Sequence, residues 1–507
     1  MIKRNLIKAS AVAIALSLVV FAASCGTGSA ENTSGAAGIG NAETDEAEAA
    51  SEILPEESTE YEEEIVCPED GEHAIEADGG EQTIENVHVV KTGNSDLGDE
   101  ADFYGDNAAV YAAEGASLTL KNVCVETDGK HANAVFSYGE GTTVTVSDSV
   151  IETSGDCSGG LMTTGGGTMI AQDLTIHTTG NSSAAIRSDR GGGTVNVDGG
   201  SYTTDGTGSP AIYSTADITV SNASLVSTAS QGVVVEGKNS VTLNNVSLTA
   251  DNNTKNSDKS DTYQAVMIYQ SMSGDAAEGL ASFTMTDGTL LNKNGDIFFV
   301  NNTVADITLE NVEIINEDPA GVLLRAEAAG WGNEGTNGGK VNLNLKNQTL
   351  EGDIIADEVS AVNLCLSGNS SWSGAINAAD EGDVYVEIEE GSTWKLTADS
   401  YISSLTCNES AIDLNGFTLY IEGTAYTEGT ASEGEALVLS SGSAGMGDRP
   451  EMPGNGGERP EMPADGERPE MPENGGERPE MPGGPGGTPP EMPEGEMPHE
   501  PPTDTLP

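Results

Sequence analysis

The segment 185–193, AIRSDRGGG, gathers Arg187, Asp189 and Arg190 in a chain with only 20 Lys and Arg against 83 Asp and Glu. On an extended strand, residues two apart point the same way. Arg187 and Asp189 therefore share a face, where they can pair with each other or where the arginine can fork onto a ligand carboxylate. Flat rings that can stack on sugar faces recur elsewhere at Phe136, Tyr138, Tyr213, Tyr269 and Trp331. With Arg187, Asp189 and Arg190 they make a candidate carbohydrate-binding set. Asp251, Asp258 and Asp261 are hard oxygen donors suited to calcium, the one candidate cofactor, although their spacing is not that of an EF-hand and a solvated loop explains them equally.

No catalytic constellation stands out. His73, His88, His131, His177 and His499 are scattered without metal-ligand or triad spacing. No G-x-S-x-G elbow occurs, and acidic pairs such as Glu389 and Glu390 are too common here to nominate a glycosidase. Besides Cys25, five cysteines (Cys67, Cys124, Cys157, Cys365 and Cys407) are widely spaced and read as small buried hydrophobes, not as a disulfide framework or a zinc site.

The elements that must carry these residues are short strands. Apolar pairs two apart recur at Leu118/Leu120, Val144/Val146, Val195/Val197, Ile218/Val220, Val241/Leu243, Phe283/Met285, Ile307/Leu309 and Val341/Leu343, the alternation of a half-buried strand. Asn122, Asp148, Asp173, Asp198, Asn222, Asn245, Asp287 and Asn311 follow closely, suited to a sharp turn with left-handed backbone. Units of about 21–26 residues built this way predict a solenoid in which each coil pairs with its neighbours. The fold expected is all-β, a single-stranded right-handed parallel β-helix without helical segments, over residues 66–440.

A small residue precedes an aliphatic one at Ala134-Val135, Gly160-Leu161, Ala185-Ile186, Ala211-Ile212, Gly232-Val233, Ala265-Val266 and Gly321-Val322. The aliphatic positions should stack inward. The next residues then face outward: Phe136, Met162, Arg187, Tyr213, Val234, Met267, Phe298 and Leu323, with Tyr138, Asp189, Glu236, Tyr269 and Arg325 two further on. Such a stripe is either a polysaccharide groove or a second small core covered by the insertions 251–264 and 326–339 or by the amino-terminal segment.

The ends differ in composition. Lys3, Arg4 and Lys8 precede the apolar run 9–23, too short for a membrane span. The following AASCG resembles a bacterial lipobox and makes Cys25 the expected acylation site, with residues 1–24 as signal peptide. Residues 25–65 read as an acidic disordered tether. Residues 441–507 repeat RPEMP and read as a disordered Pro/Gly/Glu/Met-rich tail. The net charge of −63 excludes nucleic acid as a partner.

The repeat phrases of 66–440 resemble the right-handed β-helices of the pectin/pectate-lyase-like superfamily, including its surface binders and adhesins. The phrases around Trp372 and Trp394 are similar to the terminal coils of autotransporter passenger domains. Together with the export signal and lipobox at the amino terminus, that resemblance implies an exported, lipid-anchored, monomeric surface protein that adheres or binds polysaccharide without catalysis. Its membrane contact would be through the lipid alone, and its partner a polysaccharide or a host or neighbouring surface. It implies as alternatives a calcium-dependent polysaccharide lyase or hydrolase, with an Arg such as Arg187 as base, and a ligand-free envelope spacer. The lyase alternative lacks carboxylates on the adjacent coils, where Met162, Thr164, Tyr213 and Thr215 stand.

Overall fold

The computed structural model describes residues 61–439; residues 1–60 with Cys25, and 440–507 with the RPEMP repeats, lie outside the described residues. The strand Glu63–Cys67 begins inside the stretch expected to be disordered up to residue 65. Between these limits the chain winds into a parallel β-helix. An eleven-stranded parallel sheet, here the third face, runs from Ile75–Asp78 through Val135–Tyr138, Ile186–Ser188 and Val233–Glu236 to Asp353–Ala356. The other two faces are ladders within a 21-stranded sheet. One ladder contains Ser117–Lys121, Thr143–Ser147 and Gly167–Gln172. The other contains Glu63–Cys67, Val87–Lys91, Cys124–Thr127 and Val150–Thr153.

The corner between those ladders is made by left-handed residues. Asn122, Asp148, Asp173, Asn222, Asn245, Asp287 and Asn311 all adopt φ between 50° and 59°. Asp198 does not; there the left-handed positions are Gly199 and Gly200, which reach it without a Cβ penalty. The asparagines also tie coils together: Asn122 Nδ2 donates to Asn86 Oδ1 at 2.7 Å, and Asn245 Nδ2 to Asn222 Oδ1 at 2.9 Å.

A second ladder, at the turn entering the third face, comes from the phrase T-x-G-x-x-S at Thr153–Ser158, Thr178–Ser183 and Thr204–Ser209. Each serine hydroxyl caps the glycine carbonyl of the coil before it: Ser158 to Gly129 at 2.8 Å, Ser183 to Gly155 at 3.1 Å, Ser209 to Gly180 at 2.8 Å. Each serine oxygen also accepts a backbone N–H from that coil, at 2.9 Å, so these buried turn groups are satisfied.

The core is one continuous column inside the coils. Val135, Leu161, Ile186, Ile212, Val233 and Val266 stack inward in register, as the alternation predicts. Two positions differ from the expected pattern. Phe298 pairs with Val266 and lies in the core edge-on to Phe283, leaving Phe299 to face outward. Leu323 is also a core residue, because a register shift between Val322 and Leu324 moves the strand by one position. Contrary to the helix-free expectation, one short helix, Asp99–Tyr104, interrupts the strands among the described residues. Trp372 and Trp394, on adjacent coils, are fully buried and stack at 5.2 Å.

Candidate functional site

Register places Phe136, Met162, Arg187, Tyr213, Val234, Met267 and Phe299 in one outward column on the third face. The column is covered over much of its length. At its amino-terminal end Phe136 and Met162 are fully buried with Ala108, and Tyr111 and Tyr138 pack at the edge. The helix Asp99–Tyr104 forms the lid: Thr164 donates to the Phe103 carbonyl at 2.7 Å, and Tyr104 meets Tyr138 edge-on at 5.9 Å. At the other end Val234, Met267, Tyr269 and Phe299 form a second patch, covered by Ala329 and Trp331 from the 326–339 insertion.

The polar centre lies between these patches. Arg187 forms the expected pair with Asp189 at 3.0 Å and a second with Asp102, on the lid, at 3.3 Å. Asp102 also takes Asn133 Nδ2 at 3.0 Å and faces His131 Nδ1 at 3.1 Å. Burial alone would raise its carboxyl pKa, but Arg187 and His131 outweigh burial and hold it below the usual range. Burial works against the Arg187 charge too, yet Asp102 and Asp189 prevail and raise its pKa further. Arg190 sits over the Phe103 ring at 3.9 Å and pairs with Asp275 at 2.7 Å. Arg325 is held by Asp296 at 2.6 Å and Glu327 at 3.3 Å.

Glu236, only 2% exposed, accepts hydrogen bonds from three hydroxyls: those of Tyr213, Tyr269 and Ser271. Burial first, and then the neighbouring Tyr269 and Glu236, push the Tyr213 phenol far above its ordinary pKa; burial and Glu236 raise Tyr269 too, against the opposing hydrogen bond with Tyr213. Both phenols therefore stay protonated, and their rings are held in fixed orientation.

Those rings form one wall of a cavity of about 120 Å³. Tyr213, Tyr269, Met267 and Trp331 line it with Gln231 and Gln264, and the loop 254–263 closes over it. Trp331 is half-buried, edge-on to Tyr269 at 5.1 Å, with Lys259 Nζ 5.6 Å from its ring. Gln264 is 2% exposed and its Oε1 has no hydrogen-bond partner. Sequence alone did not nominate Gln264 or Gln231, since glutamines carry no motif.

Of the carbohydrate-binding candidates, then, the structure gathers Tyr213, Tyr269 and Trp331 around one cavity. Phe136 is sealed under the helix, Tyr138 lies at that lid's edge, and Arg187, Asp189 and Arg190 belong to ion pairs. Asp251, Asp258 and Asp261 are not assembled into a common cluster. Asp251 lies 3.7 Å from Lys293, Asp261 is fully exposed 3.6 Å from Lys255, and Asp258 projects into solvent. Comparison with protein-family models, curated proteins and solved structures finds no match to this chain.

Proposed function

We propose that this is an exported, lipid-anchored surface protein whose β-helix binds a neutral glycan, without catalysis, in the cavity under residues 254–263. The observation that carries this reading is the set of three rings, Tyr213, Tyr269 and Trp331, that lines one cavity together with the amides Gln231 and Gln264. The rings suit the apolar face of a sugar, and the amides supply a few convergent polar groups to orient its hydroxyls. Neutrality follows from the overall charge, even though Lys255 lines the cavity and Lys259 stands 5.6 Å from the Trp331 ring. Arg187, Arg190 and Arg325 are each engaged by carboxylates, and the chain's −63 charge repels polyanions.

The same pairs argue against β-elimination. A base must lose its proton, and Arg187 is held protonated between Asp102 and Asp189. Membership of the pectin/pectate-lyase-like superfamily remains part of the proposal, supported by the coil architecture. Export and anchoring rest on Lys3, Arg4, Lys8, the run 9–23 and Cys25.

The test is a glycan array on the full chain, with and without calcium, followed by calorimetry with neutral galactan and glucan oligosaccharides and with polygalacturonate. Binding of a neutral oligosaccharide that is lost in Gln264→Leu and Trp331→Ala supports the reading. Unsaturated product from polygalacturonate would replace it with the lyase. Absence of binding across the array would leave the ligand-free spacer.

A further inference from the structure

On the ladder that contains Val87–Lys91 and Cys124–Thr127, away from the glycan cavity, three residues of unlike chemistry meet. His88 and Cys124 are direct register partners on adjacent parallel strands, and Glu126 is two residues beyond Cys124 on the same outward side. One ligand atom from each lies within 4.8 Å of the other two. His88 Nε2 stands 3.2 Å from Glu126 Oε1, and Cys124 Sγ 3.9 Å from that same oxygen. In a tetrahedral zinc site, with bonds of about 2.0–2.3 Å, neighbouring donors stand roughly 3–4 Å apart. The two distances to Glu126 fall in that range, and His88 and Cys124 lie within 4.8 Å of each other.

The histidine supplies the independent observation. Its Nε2 is buried and makes no hydrogen bond although it faces a carboxylate. Its other nitrogen, Nδ1, lies 3.5 Å from Glu64 Oε1, in the preceding coil. Neutral imidazole has one N–H and one lone pair. In the tautomer with its N–H on Nδ1, on the Glu64 side, the Nε2 lone pair confronts the Glu126 oxygen and the Cys124 sulfur, an arrangement that a cation between them relieves. A carboxylate beside the far nitrogen is the usual outer support of a metal-bound imidazole, and Glu64, at 3.5 Å, stands where it can close to hydrogen-bonding distance. Tyr61 packs its ring 5.9 Å from that of His88 and covers one side.

We propose that His88, Cys124 and Glu126 form a zinc site, with Glu64 as the positioning carboxylate. Imidazole, thiolate and carboxylate together suit zinc better than calcium or magnesium. Binding transfers the Cys124 thiol proton to solvent; thiolate and carboxylate then balance the two positive charges, and the fourth position is left to water. The second His/Cys/Asp grouping, Asp102, His131 and Cys157, is a different case, because its carboxylate is already neutralised by Arg187.

The full chain, stripped with a chelator, would be titrated with zinc against a chromophoric competitor, and separately with cobalt(II) to read thiolate-to-metal charge transfer. The expected result is one zinc ion per chain and a charge-transfer band absent from Cys124→Ser but present in Cys157→Ser. His88→Gln should abolish tight binding, and Glu64→Gln should weaken it about 10- to 100-fold. Circular dichroism of each metal-free variant establishes that it is folded. Absence of stoichiometric binding, undiminished binding by folded Cys124→Ser, or transfer of the cysteine dependence to Cys157 would overturn the proposal.

Discussion

Asp102 and Arg187 stand 85 residues apart in the chain, with carboxylate and guanidinium 3.3 Å apart. This contact fastens the helix Asp99–Tyr104 onto the third face and closes the amino-terminal end of the outward column. Both side chains are largely withdrawn from solvent, at 4% and 13% exposure. Removing one partner of a buried pair leaves an uncompensated charge and costs about 3–5 kcal/mol. Because Asp189 still holds Arg187, Asp102→Asn should fall near the low end, about 3 kcal/mol. Chemical unfolding would measure the loss, and hydrogen exchange should show it concentrated at residues 99–104.

The pH dependence of that loss has a definite sign. The folded-state pKa of Asp102 is depressed, so its stabilisation is present above the unfolded value of about 3.9 and disappears as pH falls through the lower folded value. Melting temperatures of the wild type and Asp102→Asn should differ fully between pH 5 and 7, and the difference should shrink only once pH falls below the unfolded value of about 3.9 and through the lower folded value. A difference unchanged at low pH would mean that shape, not charge, holds the lid.

Coil spacing depends on glycines whose Cβ positions are already filled. A Cβ on Gly180 would lie 1.9 Å from the Gly155 carbonyl oxygen, the same oxygen that Ser183 caps. Gly180→Ala should therefore separate two coils and cost about 3 kcal/mol or more. Gly115→Ala is the control. Its φ is +74° but its Cβ meets nothing within 4 Å, so it should cost only ~1–2 kcal/mol of backbone strain. Parallel unfolding curves would separate packing from backbone conformation.

The chain has three tryptophans, and two of them are fully buried. Iodide quenching should therefore report Trp331, and a bound neutral oligosaccharide should protect it from the quencher. Quenching that does not change at saturating oligosaccharide would place the sugar away from this ring.

Trp394 stacks on Trp372 and donates its indole N–H to the Gly374 carbonyl at 2.9 Å. Trp394→Ala should cost about 3–5 kcal/mol. On a ladder of neighbouring coils the damage should spread first to the strands around residues 371–413, visible as faster hydrogen exchange there than near residue 120.

Much of the site was legible only in outline. The outward positions of Arg187 and Tyr213 follow from strand alternation, but Phe298 and Leu323 show how a one-residue change of register reverses the face. The zinc proposal was hidden for a related reason. His88 and Cys124 are 36 residues apart because the helix-bearing insertion lengthens that coil, so no spacing rule for metal ligands applies, whereas lateral pairing makes them neighbours.

The residues alone determined the coil: period-two apolar pairs, left-handed Asn and Asp corners, and a period short enough that only stacking can bury the apolar face. Those are local properties, set by backbone sterics and by the exposure of side chains within a few residues. Only the tertiary structure decided which outward residues remain available. Phe136 and Tyr213 read alike in the chain, yet one lies under the helix and the other lines a cavity. Insertions fold back on coils distant in sequence, and the cost of leaving Arg187 unpaired or Phe136 wet selects where they land.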